Sequence, residues 1–454
     1  MKSFRVYAAV LLLRILFTSG SVVDQKSNDF IISHVTIITM EDTTILRDYA
    51  ILVSGEKIKD LFSSAKIKNY PGIREIDGRN GYIIPGLHDS HCHVNSYTKS
   101  FLNDFLDFGV TSIRVCAGNE AVKAWRDSIR NNLMEGPDIF LASPLIDGNP
   151  PVWGSLHDGP VVTDVDSVEG IVKKLIEYRG YDMLKLYSRL KPDVYLKFLE
   201  IAKTKNIMVT SHIPIAFPID SMFSPLTQGI EHLSGYGRYV TFNPSYSWKI
   251  LARNYDTPVD STGFENVDGK KLSVAVKKTV QYGIWNCPTM VLFENTMDTS
   301  LRNLIVNSEY WKKYPELIHW WKTKKPYCSE KEDIGRRVVL NALNEAGAKL
   351  LAGTDCPNPW VLPGLSLHQE LFSMCKAGLT PYQALKTATI NASVYLNESD
   401  KKGIIKKGYS ADFLWLNKNP LVDIRNTLSL NSVVRRGVLI QTSKVQYFYK
   451  YYMP

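Results

Sequence analysis

The chain holds nine histidines in 454 residues, and four of them sit where short apolar runs end. His91 and His93 flank Cys92; in an extended strand residues i and i+2 point the same way, so both imidazoles can reach one ion. His212 closes the run Met208-Val209-Thr210-Ser211, and His232 closes Gly229-Ile230-Glu231. Asp355 closes Leu351-Ala352-Gly353-Thr354, and Lys185 places a charge inside Leu184-Lys185-Leu186. Any one of these read singly is a hydrogen-bonded core residue, a loop cap or a lysine reaching for a rim. Together, four histidines and an aspartate make a nitrogen and oxygen ligand set suited to zinc or a similar divalent ion.

Such a set needs elements that bring distant positions together. From Leu87 onward short apolar runs alternate with stretches of helical periodicity. The runs are 87–94, 111–116, 138–142, 183–187, 207–212, 229–233, 284–289 and 349–354, and the candidate residues terminate the first, fourth, fifth, sixth and eighth or lie inside them. Amphipathic helices are expected at 168–178 and 194–205, and Thr380-Pro381 caps and opens one at 382–389. Eight strand-then-helix units predict a parallel (β/α)8 TIM barrel, whose active sites gather at the carboxyl ends of the strands. Strand-like runs at 30–40 and 50–61 precede the barrel, and runs at 411–416 and 432–440 follow it. The expected division is a signal peptide at 1–21, a barrel at 85–402, and a small β-sandwich domain built from 22–84 and 403–454.

Two long connections follow the sixth and seventh runs, at 236–272 and 292–331. The second carries Trp311, Tyr314, Trp320, Trp321 and Tyr327, which either wall a substrate site or pack an extended helix. The stretch 149–164 is another connection expected to shape the substrate site.

With 44% hydrophobic and 22% charged residues, the composition excludes a disordered chain, a collagen-like fibre and a multi-span membrane protein. Two positive charges before an apolar stretch at 6–17, then Thr18-Ser19-Gly20-Ser21, read as a secretory signal. Arg14 interrupts the stretch, so an uncleaved anchor is the alternative. The chain is therefore expected to be exported, to the periplasm or outside the cell, without stable membrane insertion after cleavage. The net charge is +9, of which Lys2, Arg5 and Arg14 leave with the signal. The remaining basic residues are scattered without aromatic interleaving, so no nucleic-acid partner is expected. Cys92, Cys116, Cys287 and Cys356 lie in or beside apolar runs, and the six cysteines are expected to be mostly free, buried thiols.

The segment Ile84-Pro85-Gly86-Leu87-His88-Asp89-Ser90-His91-Cys92-His93 resembles the opening signature of the metal-dependent amidohydrolase superfamily. Phe108-Gly109-Val110-Thr111-Ser112, Ile230-Glu231-His232, Ala352-Gly353-Thr354-Asp355 and Gly378-Leu379-Thr380-Pro381 agree with it. The order of these pieces and Lys185-Leu186-Tyr187 are similar to the prolidase-like and imidazolonepropionase-related branch. His88 stands where that signature usually has an apolar residue. The resemblance implies two divalent metal ions, zinc by ligand type. His91, His93 and Asp355 would hold the first, His212 and His232 the second, and a CO2-carboxylated Lys185 would bridge them. It also implies hydrolysis of an amide C–N bond by a metal-bridged hydroxide, with Asp355 as catalytic proton shuttle. The expected substrate is a small molecule, a dipeptide or N-acyl amino acid, that Tyr187 hydrogen-bonds. Rival readings are a mononuclear deaminase or cyclic-amide hydrolase with Lys185 unmodified, and a secreted binding protein without turnover. A homo-oligomer is compatible with all of them.

Overall fold

The computed structural model describes residues 29–95, 97–241 and 263–442. The expected signal at 1–21 lies outside the described residues, as does the final stretch 443–454. In chain order the described strands are β1 Phe30–Ile38, β2 Ile45–Ser54, β3 Lys57–Ser63, β4 Arg74–Asp77, β5 Tyr82–Pro85, β6 Leu87–Cys92, β7 Val110–Val115 and β8 Asp138–Leu141. They continue with β9 Met183–Leu186, β10 Met208–Ser211, β11 Gly229–Glu231, β12 Trp285–Cys287, β13 Lys349–Leu350, β14 Phe413–Leu416, β15 Leu430–Arg435 and β16 Val438–Gln441.

The eight runs expected from periodicity appear as β6 to β13, each shorter than its apolar stretch except β7, which has the same length and starts one residue earlier. Parallel strands covered on both faces read as unbroken apolar runs, which is why they were legible. β6, β7 and β8 form one parallel sheet, and β9 to β13 form a second in sequence order. Isolated parallel bridges connect them, Ala142 with Met183 on one side and Cys92 with Cys356 on the other. Backbone bonds reinforce both junctions: Ser143 N donates to Met183 O at 2.8 Å, and Ser90 N to Ala352 O at 2.8 Å. The eighth strand was expected to run to Thr354. It keeps a ladder only at 349–350, because the amides of Thr354 and Asp355 turn instead to the single carbonyl of His91.

The helices between strands bury one face. The helix Pro192–Thr204 starts with Pro at its first position and buries Val194, Tyr195, Phe198, Leu199 and Ala202. The helix Pro381–Thr387 carries a capping box between Thr380 and Gln383, which satisfies amides at its open end. The stretch read as one helix at 168–178 changes to π geometry after Lys173. All six cysteines are free thiols; five are buried and Cys375 is half-buried. No helix among the described residues is long and apolar enough to cross a membrane.

Strands from the two chain ends share one eight-stranded sheet, in the order β16-β15-β14-β5-β1-β2-β3, with β4 also pairing β1. Two runs read as single strands are hairpins. The run 50–61 turns at Ser54-Gly55-Glu56-Lys57, where Gly55 has φ 54°, and 432–440 turns at Arg436 and Gly437, at φ 47° and 73°. In the second hairpin positive φ at both central residues matches the twist of a tight turn, and glycine takes such a φ without steric cost.

A buried charge cluster clasps this sheet to the parallel strands. Asp138, at the start of β8, pairs with Arg435 at 2.5 Å, with Arg436 at 2.7 Å and with Lys402, while Arg435 also pairs with Asp412 at 3.0 Å. Burial opposes the Asp138 charge, but Lys402 and Arg435 outweigh it and lower its pKa. Its stabilising contribution is therefore complete above the unfolded value near 3.8 and is withdrawn as pH falls below it. Asp138→Asn leaves Arg435 buried with half its counter-charge and is expected to cost about 3–5 kcal/mol. Urea unfolding at neutral pH checks this; an unchanged midpoint would show that the clasp is dispensable.

Candidate active site

All seven residues singled out in the sequence line one cavity of about 830 Å³: His91, His93, Lys185, Tyr187, His212, His232 and Asp355. They arrive from β6, β9, β10, β11 and β13, at the carboxyl end where parallel strands release their side chains into a shared space. Asp355 is the meeting point. Its Oδ1 lies 2.8 Å from His93 Nε2 and 3.3 Å from His91 Nε2, and its Oδ2 is 3.8 Å from His232 Nε2. The His212 and His232 rings are 4.9 Å apart, and His91 is 4.6 Å from His232. Tyr187 lies 4.3 Å from the His212 ring, and its hydroxyl accepts from Trp153 Nε1 at 3.2 Å.

The backbone is bent to make this meeting. His232, Leu233, Thr289 and Asp355 have φ of 59°, 53°, 48° and 64°, a region costly for side-chain-bearing residues. Such strain persists where the surroundings overdetermine it, and functional sites are where it gathers. The bonds that hold it are specific. Asp89 Oδ1 accepts from the amides of Thr354 at 3.0 Å and His91 at 3.1 Å, and its Oδ2 accepts from Thr354 Oγ1 at 2.7 Å. One buried carboxylate thus ties the end of β6 to the turn that presents Asp355.

The imidazoles are anchored through Nδ1. His91 Nδ1 donates to Glu231 Oε2 at 2.5 Å, His212 Nδ1 is hydrogen-bonded to Ser188 Oγ at 3.0 Å, and His232 Nδ1 to Thr289 Oγ1 at 2.7 Å. In His91 and His232 this turns Nε2 toward Asp355. A partner on one ring nitrogen that fixes the other is the arrangement metal-binding histidines use. Glu231 is held in turn by Arg114 at 2.6 Å and by Thr210 Oγ1.

Charge follows the same plan. Burial lowers the pKa of His93, and burial holds His232 well below the ordinary imidazole value, so both are neutral lone-pair donors. Burial opposes charge on Asp355 and Glu231 as well, but the charge of His91 and hydrogen bonds from His91 and His93 keep Asp355 anionic, and Arg114 and His91 keep Glu231 anionic. Burial also disfavours a cationic His91, yet the fields of Cys116, Glu231 and Asp355 raise its pKa. An anionic field that favours a proton on a buried imidazole favours a metal cation in the same place. The ligand atoms of His91, His93 and Asp355 lie within 4.8 Å of one another. Lys185 Nζ is buried beside them without a hydrogen-bond partner. The residues present therefore fit a cation site.

Sequence reading missed the supporting residues Asp89, Arg114, Ser188, Glu231 and Thr289. A signal existed for two of them: Arg114 interrupts the apolar β7, and Glu231 is a carboxylate inside β11. Their pairing spans 117 positions and leaves no local trace. Glu231→Gln weakens the bond that aims His91 and is expected to lower metal affinity about 10–100-fold. Titration against a competing chelator measures it; unchanged affinity would make Glu231 a counter-ion for Arg114 alone.

The connection after β12 answers the question left about its aromatics. Trp311 and Trp321 are fully buried, whereas Tyr314 and Trp320 line the cavity. The segment both packs and walls the site.

Residues 263–440 match the amidohydrolase family model. The chain is 22% identical to ochratoxinase of Aspergillus niger over 446 residues, covering 84% of this chain and 79% of that one. It superposes on a bottromycin amidohydrolase with a TM-score of 0.70 at 21% identity, covering 92% of this chain and 88% of the other. It superposes on a Xaa-Pro dipeptidase with bound methionine in its active site with a TM-score of 0.66 at 18% identity, covering 91% and 100% of the two chains. These likenesses give a TIM-barrel-like α/β fold, in keeping with the two parallel sheets. Residues 263–440 carry the amidohydrolase family match on that fold.

Proposed function

We propose that this protein is a metal-dependent hydrolase of amide C–N bonds, acting on a dipeptide or N-acyl amino acid. The observation that carries the reading is the convergence of His91, His93 and His232 on Asp355, in a cavity that also holds His212 and an unpartnered, buried Lys185. His91, His93 and Asp355 would hold one zinc-type ion, and His212 and His232 a second. A neutral Lys185 amine attacks the carbon of CO2, forming an N–C bond and releasing a proton to water. The resulting carbamate would offer two acceptor oxygens to the cations that the histidines and Asp355 would hold.

Two bound cations lower the pKa of water toward neutrality and polarise a carbonyl. The chain's own residues do the rest. Asp355, kept anionic by His91, takes the water proton and delivers it to the leaving nitrogen. Tyr187, at the end of β9, orients the substrate by its hydroxyl. The closed (β/α)8 barrel over 85–402, the β-sandwich from 22–84 and 403–454, the signal at 1–21 and export belong to the same proposal. The bridges between the two parallel sheets support the first, and the shared eight-stranded sheet supports the joining of the two chain ends in one domain.

One observation favours a single-ion rival with Lys185 unmodified: His91, His93 and Asp355 form a tight trio without it. A zinc-reconstituted activity screen across dipeptides, N-acyl amino acids and lactams tests the proposal. Turnover of an amide, abolished by chelation, is expected; silence across all classes would favour a binding protein.

A further inference from the structure

A threonine that precedes a helix ordinarily caps it, its hydroxyl accepting from the amide two or three positions on. Thr289 precedes the helix Met290–Glu294 and makes no such bond. Its Oγ1 is hydrogen-bonded instead to His232 Nδ1 at 2.7 Å. The cap comes from elsewhere in the chain. Glu370 Oε2 accepts from Val291 N at 2.9 Å, and the Met290 amide is directed at the same carboxyl. Val291 is the second residue of the helix, a position whose amide a capping threonine would take. Thr289, Val291 and Glu370 are all fully buried, so water does not supply the missing bond.

The carboxyl is held where it acts. Glu370 lies on the helix Leu365–Lys376, which grips the shorter helix at several points. Gln369 Oε1 accepts from Asn295 Nδ2 at 3.2 Å, Ser373 Oγ donates to Glu294 Oε2 at 2.7 Å, and Lys376 pairs with Glu294 at 2.8 Å. Thr289 sits at φ 48°, a strained conformation that persists only where the surroundings fix it. Burial pushes the Glu370 pKa up to about 8 against the pull of the Val291 and Met290 amides. At neutral pH the group is mainly the uncharged acid, whose carbonyl oxygen accepts as an amide oxygen would. Its Oε1 is buried without a hydrogen-bond partner, a cost that packing alone would not impose.

We infer that Glu370 is a positioning residue for His232. By capping the helix in place of Thr289, it leaves the threonine hydroxyl to hold the imidazole, whose Nε2 then faces Asp355 Oδ2 at 3.8 Å. The path runs from Glu370 to Val291, along the backbone to Thr289, then to His232 and Asp355. Without Glu370 the Val291 amide competes for the Thr289 hydroxyl, and the imidazole loses its anchor. This rests on the metal-dependent reading of the site and adds to it the residue that keeps His232 aimed.

Two measurements on the full chain test this: zinc affinity against a competing chelator, and the crystal structure of the metal-free protein. Glu370→Leu is expected to lower zinc affinity about tenfold and to turn the Thr289 hydroxyl onto the Val291 amide, away from His232. Glu370→Met takes its place if the leucine variant does not fold. Glu370→Gln keeps an acceptor oxygen on a neutral group and is expected to restore most of the affinity. Thr289→Val is expected to lower affinity at least as much as Glu370→Leu. The double variant is expected to be no weaker than Thr289→Val, because both residues act on one bond. Effects that add in the double variant, or a Thr289 to His232 bond unchanged in Glu370→Leu, overturn the positioning role. The rearrangement in a protein whose wild type binds no zinc would sink the metal-dependent reading and leave the role standing. Zinc binding and amide turnover, with the bond undisturbed in Glu370→Leu, would do the reverse.

Discussion

Lys185→Ala is expected to lower bound metal from roughly two ions per chain to about one and to reduce kcat by about 10³-fold or more. The wild-type side chain is fully buried in β9 and its Nζ has no hydrogen-bond partner. Burying an unpaired ammonium is expensive, and conversion to a carbamate reverses the charge and provides two acceptors where cations gather. Removing the side chain removes the bridge but little of the fold, since the neighbours Leu184 and Leu186 keep their packing. Added bicarbonate is expected to speed reconstitution of the wild type and leave the variant unchanged. A short carboxylic acid is expected to restore part of the lost activity by filling the gap. If the variant keeps its metal and near-normal turnover, Lys185 is a structural residue and the carbamate account falls.

Asp355→Asn is expected to behave differently. The amide keeps an oxygen that can ligate, and the loop stays held by Asp89 and Thr354. What is lost is the anion that His91 stabilises, and with it the group that carries the proton. Metal content is expected to stay near that of the wild type while kcat falls by about 10²–10⁴-fold. Comparison of metal analysis with kinetics on the same preparation checks this. Loss of metal in parallel with activity would reduce Asp355 to a ligand.

The site was legible where chemistry broke a pattern. A lysine inside Leu184-Lys185-Leu186 or a histidine closing an apolar run is conspicuous because its neighbours are buried, and strand order then brings those ends together. The supporting contacts were not legible, because the Glu231 to Arg114 pair and the Asp89 to Thr354 bond depend on strand neighbours far apart in the chain. The hairpins at Gly55 and Gly437 leave a trace in the polar breaks Ser54-Gly55-Glu56-Lys57 and Arg435-Arg436-Gly437, which a single strand over either run passes over. Trp320 and Trp321 are adjacent letters with opposite roles: a helix turns about 100° per residue, so one faces the cavity and the other the core. The sequence places both on one helix without fixing its rotation.

The most direct test of the account is the number of metal ions per chain in protein reconstituted with zinc and bicarbonate and shown to hydrolyse an amide. About two ions per active chain, falling to about one in Lys185→Ala, is the expected result. A fully active chain that holds about one ion, with the same content in Lys185→Ala, would contradict the two-cation site and leave the trio His91, His93 and Asp355 as the whole of the metal centre.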